Sequence, residues 1–314
     1  MRLSLKGFIT CKDSEHYRDC ADHYAYNMAE HRFAISDGVT KSFFPKLWSK
    51  VLVEQSVASS GAAGLPMEQC QVEWLDEVTK RVSEPGVKWY TKNAFLCKEP
   101  GLATLVTLAF DDESLIWTAE AVGDSFLFFV PDSLKDDFEK WDKLSSKPDP
   151  IQFDNYPDYL SSRGKGRGEK REMAGYLVPG TFYLMTDALS EWMFNEQTDA
   201  LSIIDEEWTD QKAFESSVAR LRDAGRLHDD DSSVLILKLE DDNIWDICNG
   251  DTDVSDLDEL IMAEQALADC RKEIKAAYAQ LNEKINDLLQ TYNISDNAKH
   301  DIKQQLSEEY ALPN

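Results

Sequence analysis

Carboxylates stand at the ends of apolar runs throughout the first 240 residues. Asp37 follows Phe33-Ala34-Ile35 and is itself followed by Gly38; Thr186-Asp187-Ala188 closes the run FYLMT. Asp229, Asp230 and Asp231 immediately precede SSVLILKL, and Asp22 stands just before YAY. A charge at the tip of a buried strand costs free energy unless something pairs with it or coordinates it. Taken singly, each has an ordinary explanation, since aspartates commonly make turns and caps. Taken together, acidic groups distant in sequence can converge on one edge of a β-sandwich. Such carboxylates repel one another and partly protonate unless divalent cations balance them. An all-oxygen donor set selects Mg²⁺ or Mn²⁺ rather than zinc.

Other chemistries find less support. The six cysteines (Cys11, Cys20, Cys70, Cys97, Cys248, Cys270) are scattered, with no Cys-x-x-Cys pair. That pattern suits reduced thiols in a cytoplasm better than a disulfide framework or a zinc site. None is followed by five residues and an arginine, the spacing that would cradle a phosphate around a nucleophilic thiolate. His228 lies two residues before Asp230 and His23 follows Asp22, so either is a candidate proton donor to a leaving alkoxide. Each also has the plainer reading of a surface or hydrogen-bonded histidine. Arg163, Lys165, Arg167, Lys170 and Arg171 form a basic cluster that could clamp an acidic phosphoprotein or simply offset an acidic chain.

The elements that must position these groups are legible in outline. Tyr24–Tyr26 and Arg32–Ser36 read as an early strand pair. LATLVTLAF, SLIWTAEAV and SFLFFV follow with short polar breaks, which predicts an antiparallel meander. TFYLMTD and SSVLILKLE are two later strands. Helices are predicted over 46–58, over 67–83 after Pro66, and over 211–223. Strands in blocks separated by helices predict α+β layers rather than a doubly wound parallel sheet. Residues 131–180, rich in Asp, Lys, Ser, Pro and Gly, read as a functional or mobile insertion. Beyond about residue 243 aromatics nearly vanish, and a long helix is predicted over 254–290, followed by a short one over 296–309. Leu260, Leu267, Ile274, Leu281 and Leu288 recur at seven-residue intervals, but Glu264 and Arg271 interrupt the companion seam. Self-docking or a hetero-partner for this helix is therefore favoured over a symmetric homodimer, with Trp245 and Ile247 anchoring its start.

Composition sets outer bounds. The 314 residues carry 59 acidic and 33 basic side chains, a formal net charge of −26, and 42% are hydrophobic. Such a chain can build a substantial core, and its field repels nucleic acid and anionic membrane. The N-terminus lacks the apolar core of a signal peptide, and no run approaches the roughly 18 apolar residues of a membrane span. A cytoplasmic protein with basic or cationic partners is expected.

Six motifs, CADHYAY, ISDGV, GLATLV, AVGDS, TDALSEW and DDSSVLIL, occur in that order over about residues 5–240. In order and in strand-like context they resemble the metal-dependent serine/threonine protein phosphatases of the PPM, or type 2C, family. The resemblance implies an α+β fold: a central antiparallel β-sandwich flanked by helices in α-β-β-α layers, here with a C-terminal helical extension. It implies a catalytic domain over 1–243, and the composition shift beyond it gives a helical extension over 250–311. It also implies two Mg²⁺ or Mn²⁺ ions, with Asp37 bridging both, the Gly38 carbonyl on the second, and Asp187 and Asp230 completing the first. Asp22 would act through metal-bound water, and Asp124 would help hold a weaker third ion. Water activated between the two cations would attack phosphorus in line, with no covalent enzyme intermediate.

The chain departs from the family pattern in places. Val39-Thr40-Lys41 follows Asp-Gly where Gly-Gly or His is common, Ala188 replaces a usual Gly, and Phe126 replaces a frequent Arg. Tyr17 stands where the phosphate-binding arginine is normal, with Arg18 one place off as the candidate contact. Two functions follow: a phosphatase acting on phosphoserine or phosphothreonine in proteins, or a catalytically weak adaptor of the same fold that binds a kinase or other partner. Intact Asp37, Asp187 and Asp230 favour the first.

Overall fold

A computed structural model describes residues 1–58, 65–147, 151, 153, 158–242, 247–291, 298, 300–302, 304 and 305. The chain opens with β1 (Arg2–Thr10), β2 (His23–Asn27) and β3 (Arg32–Ser36), then α1 (Pro45–Ala58), α2 (Met67–Ser83) and α3 (Trp89–Leu96). Six strands follow: β4 (Leu102–Ala103), β5 (Leu105–Asp111), β6 (Ile116–Val122), β7 (Phe126–Pro131), β8 (Asp142–Leu144) and β9 (Leu160–Ser161). After β10 (Arg171–Tyr176) and β11 (Gly180–Met185) come α4 (Asp187–Glu196), α5 (Thr198–Glu207) and α6 (Gln211–Asp223). The last elements are β12 (Ser232–Glu240), β13 (Cys248–Val254) and α7 (Leu257–Thr291).

The longer strands make two sheets, ordered β13-β1-β12-β11-β7-β8 and β10-β6-β5-β3-β2, and β4 and β9 form a small third pair. Period-two alternation explains why two large sheets stack. Leu127 and Phe129 point to the core between the sheets, where they meet Phe33, Ile35, Val106, Leu108, Trp117, Phe182 and Leu237. Phe126, Phe128 and Val130, on the opposite face of the same strand, pack against α4–α6 through Leu189, Trp192, Met193, Ile204 and Phe214. On the outer face of the second sheet, Ala34 and Leu105 pack with Leu47, Trp48, Val51 and Leu52 of α1 and Trp74 and Val78 of α2. The layers are therefore α-β-β-α, as expected.

Three sequence expectations change. The meander holds only for β5 and β6; β7 crosses to the other sheet, where it pairs with β11 and β8. Gly123 makes that crossing: its φ is +109°, and a Cβ there would meet the Thr104 side chain at 2.5 Å. The 131–180 stretch is not a plain insertion, since β8 and β10 each extend a sheet; residues 148–150, 152 and 154–157 lie outside the described residues. The stretch before the long helix, where no strand is expected, forms β13 and pairs parallel to β1. Its sequence CNGDTDV has little strand propensity, so the backbone pairing offered by β1 decides its conformation.

The chain divides into two compact units, Met1–Leu260 and Ile261–Asn314. Ile247 is buried in the inter-sheet core of the first, whereas Trp245 lies outside the described residues. In the second, Leu267, Ile274, Leu281 and Leu288 on α7 are all exposed. Residues 298, 300–302, 304 and 305 are helical, and the rest of the predicted 296–309 helix lies outside the described residues. Among the described residues no helix is long and apolar enough to cross a membrane.

Candidate metal centre

Antiparallel register brings the aspartates to one end of the sandwich. His23 at the start of β2 pairs with Ser36 at the end of β3, placing Asp22 beside Asp37. Met185 at the end of β11 pairs with both Phe126 at the start of β7 and Val234 near the start of β12. Asp187, Asp124 and Asp230 are thereby carried to one neighbourhood. Since β1 ends by pairing Thr10 with Ser232, Lys12 arrives there as well.

Short hydrogen bonds fix the supporting backbone. The Asp37 N–H donates to Thr104 Oγ1 at 3.1 Å, and its carbonyl accepts from the Thr104 N–H at 2.8 Å. Thr104 Oγ1 is 2.7 Å from Ser125 Oγ, so the loops carrying Asp37 and Asp124 are latched together. Thr186 and Ser233 tie the start of α4 to β12: the Thr186 N–H donates to Ser233 O at 3.1 Å, and the Ser233 N–H to Thr186 Oγ1 at 3.0 Å. Gly38 is required by packing rather than by φ. A Cβ there would meet the Pro45 carbonyl oxygen at 2.9 Å and the Ala21 oxygen at 3.0 Å.

The electrostatics are those of crowded acids. Burial, followed by the charges of Asp187, Asp22, Asp124 and Asp230, pushes Asp37 well above the usual carboxylate range. Burial with Asp231 and Asp187 does the same to Asp22. Asp187 is pushed up to about 8 by burial, Asp124 and Asp230, against the Ala188 N–H and Lys12. The Thr186 and Ser233 hydroxyls lie near enough to temper the rise at Asp22, but neither reaches hydrogen-bonding geometry with its oxygens, and the side chain is 1% exposed. Asp124, also buried, has Lys147 Nζ at 3.7 Å from its Oδ2.

Among the described residues, no group of three or more His, Cys, Asp or Glu side chains is drawn together tightly enough to hold a metal ion as it stands. Like charges that repel are expected to stand apart in this way. The donor chemistry nevertheless fits a hard divalent cation. Every candidate ligand is an oxygen, and a buried carboxylate with both oxygens unsatisfied is the group a cation would complete.

The remaining candidates fall away from this cluster. Arg18 is 64% exposed and pairs with Asp19 at 3.6 Å. The Tyr17 hydroxyl donates to Glu215 Oε1 at 2.5 Å, toward α6. His23 is buried, with Nδ1 3.0 Å from Ser49 Oγ, and burial with Lys46 and Lys50 pushes it down to about 3, so it is neutral at physiological pH. His228 is exposed and stands 3.3 Å from Glu191. Lys170 of the basic cluster is bound to Glu120 and Glu172. In the Asp229-Asp230-Asp231 run the three side chains diverge. Asp229 accepts from the Asp13 N–H and Asp231 from the Ala21 and Lys12 N–H groups. Asp230 Oδ1 lies 2.9 Å from Lys12 Nζ. Lys12 is a site residue the sequence reading missed. The signal was the alternation of Leu3 and Leu5 with Arg2, Ser4 and Lys6, which marks β1 and puts Lys12 just beyond its end.

No family model and no curated protein sequence matches the chain. Its fold is similar to that of the serine/threonine phosphatase Stp1 from Staphylococcus aureus, with a TM-score of 0.52 and 11% identity over 76% of this chain and 95% of that one. The photosystem II phosphatase PBCP aligns over 76% of this chain and 99% of its own, with a TM-score of 0.48 and 14% identity. PppA, a regulatory component of T6SS in Pseudomonas aeruginosa, aligns over 76% and 98%, with a TM-score of 0.48 and 16% identity. The chain has the fold of the PPM-type serine/threonine phosphatases.

Proposed function

We propose that this protein is a Mg²⁺- or Mn²⁺-dependent phosphatase that hydrolyses phosphoserine or phosphothreonine in proteins. The observation that carries the reading is the buried, unsatisfied carboxylate of Asp22 beside Asp37, with the charge of Asp187 opposing the ionisation of both. A protein gains nothing in stability from such a cluster, and cation binding is the use that offsets its cost. Asp37, with the Gly38 carbonyl, Asp187 and Asp230 would hold two cations, and Asp22 would orient water at their edge. Asp124 would serve a weaker third ion. Two such cations, when bound, supply water activation and counter-charge for in-line phosphoryl transfer. Thr104 and the Thr186–Ser233 pair keep the carboxylate-bearing loops in register. Reduced thiols and the acidic field suit a cytoplasmic site of action on substrates with basic surroundings.

The test is hydrolysis of phosphothreonine and phosphoserine peptides with and without Mn²⁺. Activity should require the ion, and Asp37→Asn should lower it by roughly 10³-fold, about 4 kcal/mol of barrier. Asp124→Ala should lower it by about 10-fold. Turnover that persists in EDTA, or an Asp37→Asn protein near the wild-type rate, defeats the proposal.

A second reading is the adaptor of the same fold. The Lys12–Asp230 pair favours it, because an ammonium there competes with a cation for a carboxylate oxygen. The exposed apolar positions on α7 suit docking of a hetero-partner in either case.

A further inference from the structure

Phosphoryl transfer needs a cation on the non-bridging oxygens of phosphorus as well as activated water. The candidate positions the sequence offered do not provide one, since Tyr17 faces Glu215 and Arg18 faces solvent. Three other cations stand near the acids. Lys147 Nζ faces Asp124 Oδ2 at 3.7 Å. Lys46 Nζ donates to the carbonyls of Tyr17 and Arg18, both at 3.1 Å. The buried Arg222 guanidinium bonds Cys11 O, Asp13, Asp230 O and Ser232 Oγ. Lys12 differs. Its ammonium has three N–H groups, and the structure gives it two partners, Asp230 Oδ1 at 2.9 Å and Thr40 Oγ1 at 3.3 Å. Its side chain is 16% exposed, and its own N–H is pinned to Asp231 Oδ1 at 3.2 Å, so the stem starts from a fixed point.

Lys12 also opens onto space. With Thr40, Asp231, Glu15 and Asp19 it lines a cavity of about 300 Å³ that also reaches Ala21, so the cavity adjoins the chain neighbours of Asp22 and Asp230. A phosphate entering among those acids is repelled by them, so a positive charge held on the cavity wall matters more here than it would on a neutral surface. Both Asp231 oxygens already accept backbone N–H groups, which leaves that carboxylate no reason to draw Lys12 away.

We propose that Lys12 is the phosphate-anchoring residue of this site, its ammonium passing from Asp230 to a non-bridging oxygen of the substrate phosphoryl group, with the Thr40 hydroxyl as a second donor. This rests on the phosphatase reading above. When Asp230 turns to a cation, the ammonium keeps Thr40 and gains the substrate oxygen, so it has a partner in both states. The anchor comes from the end of β1, far in sequence from the acids it serves.

The experiment uses the full chain as wild type, Lys12→Met, Lys12→Arg and Thr40→Val. Titration calorimetry measures Mn²⁺ affinity, then inorganic phosphate affinity at saturating Mn²⁺, and kinetics on a phosphothreonine peptide give kcat and KM. Loss of one charge-assisted contact should weaken phosphate binding and kcat/KM by about 10- to 100-fold in Lys12→Met. Lys12→Arg should recover most of that loss, and Thr40→Val should show a smaller one. Mn²⁺ affinity in Lys12→Met should tighten by no more than about threefold, since the substitution removes no ligand and lifts only the ammonium's competition for Asp230. Phosphate affinity unchanged in Lys12→Met overturns the anchor, and if Mn²⁺ then binds at least tenfold tighter, Lys12 is a counter-charge for Asp230 alone. A wild-type protein that binds neither Mn²⁺ nor phosphate overturns the phosphatase reading, and the anchor with it; an active wild type with an unaffected Lys12→Met overturns only the anchor.

Discussion

Asp22→Asn should make the metal-free protein more stable and the Mn²⁺-loaded protein less so. Asp22 is 1% exposed, neither of its oxygens has a hydrogen-bond partner, and Asp231 and Asp187 oppose its ionisation. A carboxylic acid whose folded pKa is raised stabilises the fold least at high pH. Its contribution is most favourable below the unfolded value near 3.8 and is lost as pH climbs toward the folded one. The amide has the same shape and never ionises. Relief of an unsatisfied buried carboxylate is worth about 2 kcal/mol. At about 2–4 °C per kcal/mol for a unit of this size, Asp22→Asn should melt about 5 °C above wild type in EDTA at pH 7.5. The gap should shrink at pH 5, where more of the wild-type acid is protonated. Saturating Mn²⁺ should reverse the order, because a ligand at 100 times its Kd adds about 2.7 kcal/mol to whichever protein binds it better. Scanning calorimetry at both pH values, with EDTA and with Mn²⁺, decides the matter. An Asp22→Asn protein less stable than wild type in EDTA at pH 7.5, or a gap that ignores pH, refutes the picture of a strained acid kept for a cation.

Gly38→Ala should destabilise the fold by about 1–3 kcal/mol, measured by denaturant unfolding, because its methyl group meets backbone atoms of Pro45 and Ala21 rather than a side chain that can yield. Arg18→Ala should leave kcat/KM within about twofold of wild type, since the side chain faces solvent; a loss near tenfold on a phosphopeptide would return it to the phosphate contact. A chain ending after Leu260 should keep metal-dependent hydrolysis of p-nitrophenyl phosphate. A chain ending at 242 should lose stability as well, because it strips β13 from the edge of β1. Equal melting temperatures for the two truncations would contradict that role for β13. Light scattering on the full chain and on the 1–260 chain tests whether the exposed α7 positions support self-association; a dimer that the truncation dissolves would replace the hetero-partner reading.

The acids were legible because each ends or begins an apolar run, and antiparallel pairing leaves strand tips nowhere to gather but at the ends of the sandwich. Asp37 after FAIS and Asp187 after FYLMT needed only that rule and a period-two reading. Where the same signals misled, a tertiary choice intervened. SFLFFV is apolar on both faces, so its pattern could not say which sheet it joins, and Gly123 sends it across. CNGDTDV has almost no strand signature and becomes a strand because β1 offers it an open edge. The basic side of the site was the least legible. A lysine two residues beyond an unrecognised strand carries no local mark, and neither does Lys147 in a stretch read as an insertion. Both are defined only by the carboxylates they reach, Asp230 and Asp124. The acids reveal themselves in sequence because burying them is costly wherever they occur. Their cations do not, because an exposed lysine in a sequence looks the same whether it faces water or completes a site.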